Sequence, residues 1–274
     1  MLRQITGEVS LFAVGGGSYL GLFKNARLTL AAATQEASPA SRIGKKAQPV
    51  TKGSTLTFSV MSNKSGSSTA ARVTVKDVTS FAIGGTDLRG HVQEGTLSGR
   101  FGTKEGAGWA DVWDYPNVTD KDFEFDGSMM IPIAGGGGLV LIDKMLDPAT
   151  LDDLAATFAL TVDGIAIQIP MTVDRVELGL QDKDLQLVST HLMGASPDTG
   201  AYPTLPTATG TVLEKVLVTP YNPLAFQLQS RATYGKSFEG EIVPTSVAMR
   251  FRRGELVMID YSFVAVGAVA PIAA

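Results

Sequence analysis

Thr55-Leu56-Thr57-Phe58-Ser59-Val60 decides the fold class. Leu56, Phe58 and Val60 fall on one face of an extended chain, and hydroxyls fill the other. A period of two marks a half-buried strand, because successive side chains point to opposite faces. Val73 and Val75, between Arg72 and Lys76, repeat the pattern. Leu224, Phe226 and Leu228 alternate with Ala225, Gln227 and Gln229. Val247, Met249 and Phe251 alternate with Ala248, Arg250 and Arg252. The turns agree. Asp163-Gly164 separates 158–162 from 165–169, and Asp-Gly suits a two-residue hairpin loop that needs positive φ twice. Arg253-Gly254 separates two strands near the C-terminus, Asp126-Gly127 precedes another strand, and Ser65-Gly66-Ser67-Ser68 reads as a flexible loop. The expected class is all-β: an antiparallel β-sandwich or barrel. Residues 1–274 read as one unit with a possible soft seam near 143–147.

One short flanking helix is expected, over about 147–158. Asp147 supplies an N-cap and Pro148 the first helical position. Asp152 and Asp153 lie near the positive end of its dipole, and Leu151, Leu154, Ala155 and Phe158 form an apolar stripe. Two long polar connections stand out. One, 34–52, joins strands at 26–33 and 54–62; the other is 193–209. Loops of that length are unusual in a compact domain unless they have a task.

The 274 residues can bury a core without staples. Cysteine is absent, which removes disulfides, thiolate zinc sites, iron–sulfur clusters and a thiol nucleophile. His91 and His191 are the whole histidine complement. Net charge is −4 but uneven: residues 1–53 carry +5 and 143–198 carry −7. The overall acidity disfavours a protein that grips nucleic acid. A basic start and an acidic middle suit head-to-tail contact between copies. No signal peptide or transmembrane segment is read, and the expectation is a soluble product with no membrane anchor.

Candidate chemistry is thin. Asp120, Asp122, Glu124 and Asp126 place four carboxylates on one strand face, with Phe123 and Phe125 on the other. From Asp122 the spacing imitates the opening of a calcium loop, but the twelfth position is Ile133 instead of Glu. A solvated edge strand is the plainer reading. Gly15-Gly16-Gly17 and the run Gly135 to Gly138 lack the flanking residues of phosphate cradles. Gly95-Thr96-Leu97-Ser98-Gly99 has the wrong spacing for a nucleophile elbow. Trp109, Trp113 and Tyr115 suit either a sugar site or a packed patch. No enzyme activity, metal or cofactor is expected.

In element order and texture the chain resembles the tail tube (major tail) proteins of bacteriophages. The resemblance rests on the strand pair 26–33 and 54–62 with its long polar loop. It rests also on the Ser/Thr/Gly-rich stretch holding Lys76-Asp77-Val78-Thr79-Ser80-Phe81 and Gly95-Thr96-Leu97-Ser98-Gly99, on a helix against the sheets, and on two final strands, 246–251 and 255–267. It implies a virion protein made in the host cytoplasm. Its copies would form rings, usually hexameric, that stack into a tube beside other tail proteins. DNA would pass through the lumen without specific binding. Another virion component (distal tail, tail terminator or head decoration) and a carbohydrate-binding β-sandwich are the alternatives. The expected inter-ring contact sets the basic loop, with Arg42, Lys45, Lys46 and Lys52, against an acidic region. That region comprises Glu105, Asp111, Asp114, Asp120, Asp122, Glu124 and Asp126, or Asp152 and Asp153.

Overall fold

A computed structural model describes residues 9–19, 22–36, 47–62, 80–83, 86–106, 113–130, 142–143, 145–146, 155–162, 165–179, 187–194, 211–230 and 237–272. The described strands are β1 (Val9–Val14), β2 (Gly17–Ser18), β3 (Phe23–Glu36), β4 (Ala47–Met61), β5 (Phe81–Ile83), β6 (Thr86–Asp87) and β7 (Val92–Glu105). They continue as β8 (Pro116–Met130), β9 (Ala155–Val162), β10 (Ile165–Gly179), β11 (Leu187–Gly194), β12 (Leu224–Ser230), β13 (Ser237–Arg252) and β14 (Met258–Pro271). Helix α1 (Val212–Val218) lies between β11 and β12. The all-β, antiparallel class expected from the alternation is what the chain adopts.

All fourteen strands join one sheet. Its spine runs β2-β1-β12-β13-β7-β8-β11-β10-β9-β5-β6, with β14 on the other edge of β13, then β4, then β3. Strand β13 therefore has three neighbours. Its first half pairs with β12, from Ser237 to Ile242, and its second half with β7, from Ser246 to Arg252. Pro244 sits at the changeover, beside a break in register. A residue without an N–H fits the point where a strand exchanges one partner for another.

The sheet closes over itself. Phe12 of β1 meets Phe58 of β4 edge-on at 5.0 Å, although those strands are four steps apart in the sheet. Phe125 of β8 meets Phe158 of β9 at 4.8 Å across three steps. Both sets of rings belong to one apolar core. In β7 the core-facing positions are Gly95, Leu97, Gly99 and Phe101. A Cβ on Gly95 would stand 2.5 Å from the Phe251 ring, and one on Gly99 would stand 2.8 Å from the Phe123 ring. Those glycines are seats for aromatic rings that lie across the strand.

The helix expected over 147–158 is corrected. Ala155–Val162 is strand β9, and Phe158 is fully buried. Val162 stands opposite Ile165, so pairing with β10 overrides the local helical pattern. Residues 147–154, with Asp152 and Asp153, lie outside the described residues, while Ile142, Asp143, Met145 and Leu146 are helical. Asp126-Gly127 is no turn either, since both residues lie within β8. The 34–52 connection is shorter than expected, because β3 runs on to Glu36 and β4 begins at Ala47.

Helix α1 closes one end of the core. Thr211 Oγ1 accepts the Glu214 N–H at 3.2 Å, the N-cap half of a Thr-x-x-Glu box. Val212, Leu213, Val216 and Leu217 are buried, roughly 1.5–3 kcal/mol each for full burial. Lys215 Nζ donates to the Gly15 carbonyl at 2.6 Å and ties the helix to the β1–β2 turn, where Gly15 and Gly16 have positive φ. Lys121 Nζ lies 3.5 Å from the Leu217 carbonyl, and burial holds its ammonium pKa below the usual lysine value. Thr211→Ala is expected to lower unfolding free energy by about 1 kcal/mol, read from the urea midpoint at unchanged slope.

Candidate functional site

The face of the sheet turned away from the core is polar. Eight consecutive strands, β3-β4-β14-β13-β7-β8-β11-β10, line one open hollow of about 670 Å³ on it. The reason is the period of two. Core residues of these strands alternate with outward neighbours, and those lining the hollow include Lys, Arg, His, Asp, Glu, Asn, Ser and Thr.

Opposite charges sit beside one another across the strands. Arg250 of β13 holds Asp260 of β14, which also accepts from the Ser59 hydroxyl of β4. Arg252 lies 3.6 Å from Glu94 and 3.7 Å from Glu255. Arg100 Nη2 donates to Glu124 at 2.6 Å. His191 Nδ1 lies 3.0 Å from Asp174 and its Nε2 lies 4.0 Å from Asp126. Most of these groups are well exposed, so each pair adds about 0–1 kcal/mol. Their effect is on the field: each arginine of these pairs has a carboxylate at hand, and no large patch of one sign results.

The acidic ladder is distributed, not gathered. Its alternation is as expected, with Phe123 and Phe125 buried and Asp122 and Asp126 outward. The edge-strand reading is corrected for one half of β8, which β11 pairs from Glu124 to Met130; from Pro116 to Phe123, with Asp120 and Asp122, only β7 pairs with it among the described residues. Asp120 accepts the Gly102 N–H at 2.9 Å, Asp122 the N–H of Phe123 at 2.8 Å, and Glu124 the Arg100 guanidinium. The carboxylates face separate partners, and among the described residues no cluster could hold a metal.

Of the other expected contact residues, Lys52 and Asp114 meet within the chain, and Glu105 meets Tyr115. The Asp114 N–H donates to the Lys52 carbonyl at 3.0 Å, and the Tyr115 N–H donates to Glu105 at 2.7 Å. Lys52 Nζ stands 5.5 Å from the centre of the Trp113 ring, and the Tyr115 ring packs on Gly267. Trp113 and Tyr115 are thus engaged separately, and Trp109 lies outside the described residues. So do Arg42, Lys45, Lys46 and Asp111. The pairs on the polar face escaped the sequence reading. The outward positions of Arg250 and Arg252 were legible from alternation, but their carboxylate partners come from strands distant in sequence.

The outer strand of this face has an open edge: among the described residues β3 pairs with β4 and no other strand. β14 backs β4 from Met61 to Thr55, a bridge to Trp113 follows at Lys52, and from 51 to 47 β3 is the one neighbour among the described residues. The hairpin therefore ends as a two-stranded ribbon. Leu30 on it is 56% exposed.

Among the described residues no helix is long and apolar enough to cross a membrane. No family model matches the chain, and no curated protein is similar to it at a significant level.

Proposed function

We propose that this chain is a structural subunit that assembles with copies of itself into stacked rings, in the manner of a phage tail tube. The β3–β4 hairpin carries the reading. A two-stranded ribbon is marginal in water on its own and is stabilised by further strands or a packed face. A long unpaired edge without charge is normally blunted, because it templates pairing with other chains. From Leu28 to Thr34 this edge has no charged residue and no proline. Its exposure makes sense if another copy covers it.

The polar face supports the same reading. A channel that lets DNA pass must offer phosphates little net positive charge, since each uncompensated cation adds to non-specific affinity. The arginines at 100, 250 and 252 each have a carboxylate at hand.

Assembly is the test. The purified chain at high concentration is expected to form rings or tubes visible by negative-stain electron microscopy. Converting Arg42, Lys45 and Lys46 together to Glu should leave the subunit folded by circular dichroism and shorten or abolish tubes. Added salt should weaken wild-type stacking, because exposed charges are screened. A strictly monomeric species in light scattering at high concentration overturns the reading.

A further inference from the structure

We infer that ring neighbours join head to tail, with the free edge of β3 in one copy adding to the free edge of β10 in the next. This rests on the ring-forming reading and names the surfaces it would use. Among the described residues several stretches of edge lack a strand partner, β8 from Pro116 to Phe123 among them, and two of them bound the eight-strand run. One is β3. The other is the second half of β10: β9 covers β10 from Ile165 to Thr172, and no strand among the described residues pairs with that edge from Val173 to Gly179. The other terminal strands, β2 and β6, are two residues each.

The two open edges fit each other in direction. β3 and β10 are the first and last of eight strands, and every step between them is antiparallel. An even number of alternating strands leaves the two outer ones antiparallel. Rotation about a ring axis close to the strand direction keeps the sense of every strand. A neighbour's β3 then arrives antiparallel to β10, and the polar face stays on the same side.

They also fit in side chains. On β3, Lys24, Asn25 and Arg27 are exposed on the polar face, while Phe23, Ala26 and Leu28 pack toward the core. On β10, Asp174, Arg175 and Glu177 are exposed, while Val173 is buried and Val176 packs on the core. Each strand has one bulged residue, at 24 on β3 and at 174 on β10. One extra residue on each side cancels. A single register then sets Phe23 opposite Leu178, Lys24 opposite Glu177, Arg27 opposite Asp174 and Leu28 opposite Val173. Two pairs are of opposite charge and two are apolar, and Leu178, 46% exposed in the single chain, is covered.

Within one chain, the pairings followed across the sheet set Asn25 level with Thr172. The charge-matched register displaces the neighbour by about four residues, or ~13 Å along the strand. Over eight strands at ~4.8 Å spacing that is a tilt of roughly 20°, and a sheet that closes must tilt. Past Leu28 the edge of β10 is taken by its own β9. The outer part of the neighbour's ribbon must leave the sheet there, so this contact covers 23–28 and leaves the 29–34 edge for a further contact.

The absence of cysteine permits a clean test. Lys24→Cys with Glu177→Cys in one chain, oxidised under assembly conditions, is expected to give a denaturing-gel ladder in steps of one chain. An equal mixture of the two single variants should give dimers and nothing larger, and Lys24→Cys alone should give none. In parallel, Lys24→Glu with Arg27→Glu should raise the concentration needed for rings roughly tenfold. Adding Asp174→Lys and Glu177→Lys to that chain should bring it back. Dimers from Lys24→Cys alone show a two-fold β3–β3 contact and overturn the inference. So does a cross-link confined within each chain. Rings seen by microscopy without the ladder overturn this edge assignment and leave the ring reading standing. A wild-type monomer at every concentration overturns both.

Discussion

Gly95→Val is expected to destabilise the fold by ~3 kcal/mol or more, among the largest effects of any single added side chain. The position faces the core of β7, and a Cβ there would sit 2.5 and 2.7 Å from two atoms of the Phe251 ring and 2.9 Å from the Phe125 ring. Those rings lie near-parallel, 14° apart with centroids 6.0 Å apart, and Phe125 also leans on Phe158. A ring locked between two others has no free rotamer to retreat into, so the strain passes to the backbone. Overfilling a packed core costs about 1–3 kcal/mol for small insertions, and a branched side chain adds two methyls beyond the Cβ. Gly90→Ala is the control. It sits in a turn with nothing within 4 Å of its would-be Cβ and should stay within about 0.5 kcal/mol of wild type. Urea midpoints for the pair decide the matter: equal midpoints would show that the ring does not use the glycine as its seat.

Phe58→Ala should cost ~3–5 kcal/mol, the range for removing a buried aromatic side chain. Phe58 joins the two layers. It meets Phe12 and Tyr19 from the β1–β2 side, and Tyr261 and Phe263 from β14 beside it. Removing the ring leaves a cavity bounded on one side by a strand four steps away in the sheet, so collapse into the gap requires the layers to shift. Phe58→Leu should recover more than half of the loss. A loss below 1 kcal/mol for the alanine variant would mean that the layers do not depend on this contact.

The sequence was most readable where one face of a strand is buried. Leu56, Phe58 and Val60 announced β4, and Val247, Met249 and Phe251 announced half of β13, because burial on one side leaves a period of two. Asp163-Gly164 announced the β9–β10 hairpin for a local reason, the φ demanded by a two-residue loop. The helix was misplaced for a non-local one. Asp147-Pro148 has the sequence of a helix start, yet Ala155 to Val162 gains more by pairing with β10 than a local helical pattern would give. The real helix was legible as Thr211-x-x-Glu214 ahead of Val216 and Leu217, and its seven residues hid it beside a proline-rich stretch. The polar face was half legible. Alternation shows that Arg250 and Glu124 point outward, but whether an outward arginine meets an acid depends on strand order. No periodicity reveals that β13 lies between β7 and β14.

β1 pairs with β12, setting Val14 opposite Phe226, and β4 pairs with β14, setting Met61 opposite Met258. Two strands of the first quarter of the chain, β1 and β4, thus wait for partners made in the last quarter. At about 5–20 residues per second, translation holds them apart for roughly 10–40 s. The β3–β4 hairpin, being local, can form within microseconds. It then stands on the ribosome with its uncharged edge open before any body exists to carry it. Polysomes bring nascent copies of such a hairpin close together, where edge-to-edge pairing favours aggregation. The C-terminal strands, once made, cover the β4 side of the hairpin and leave the 28–34 edge open.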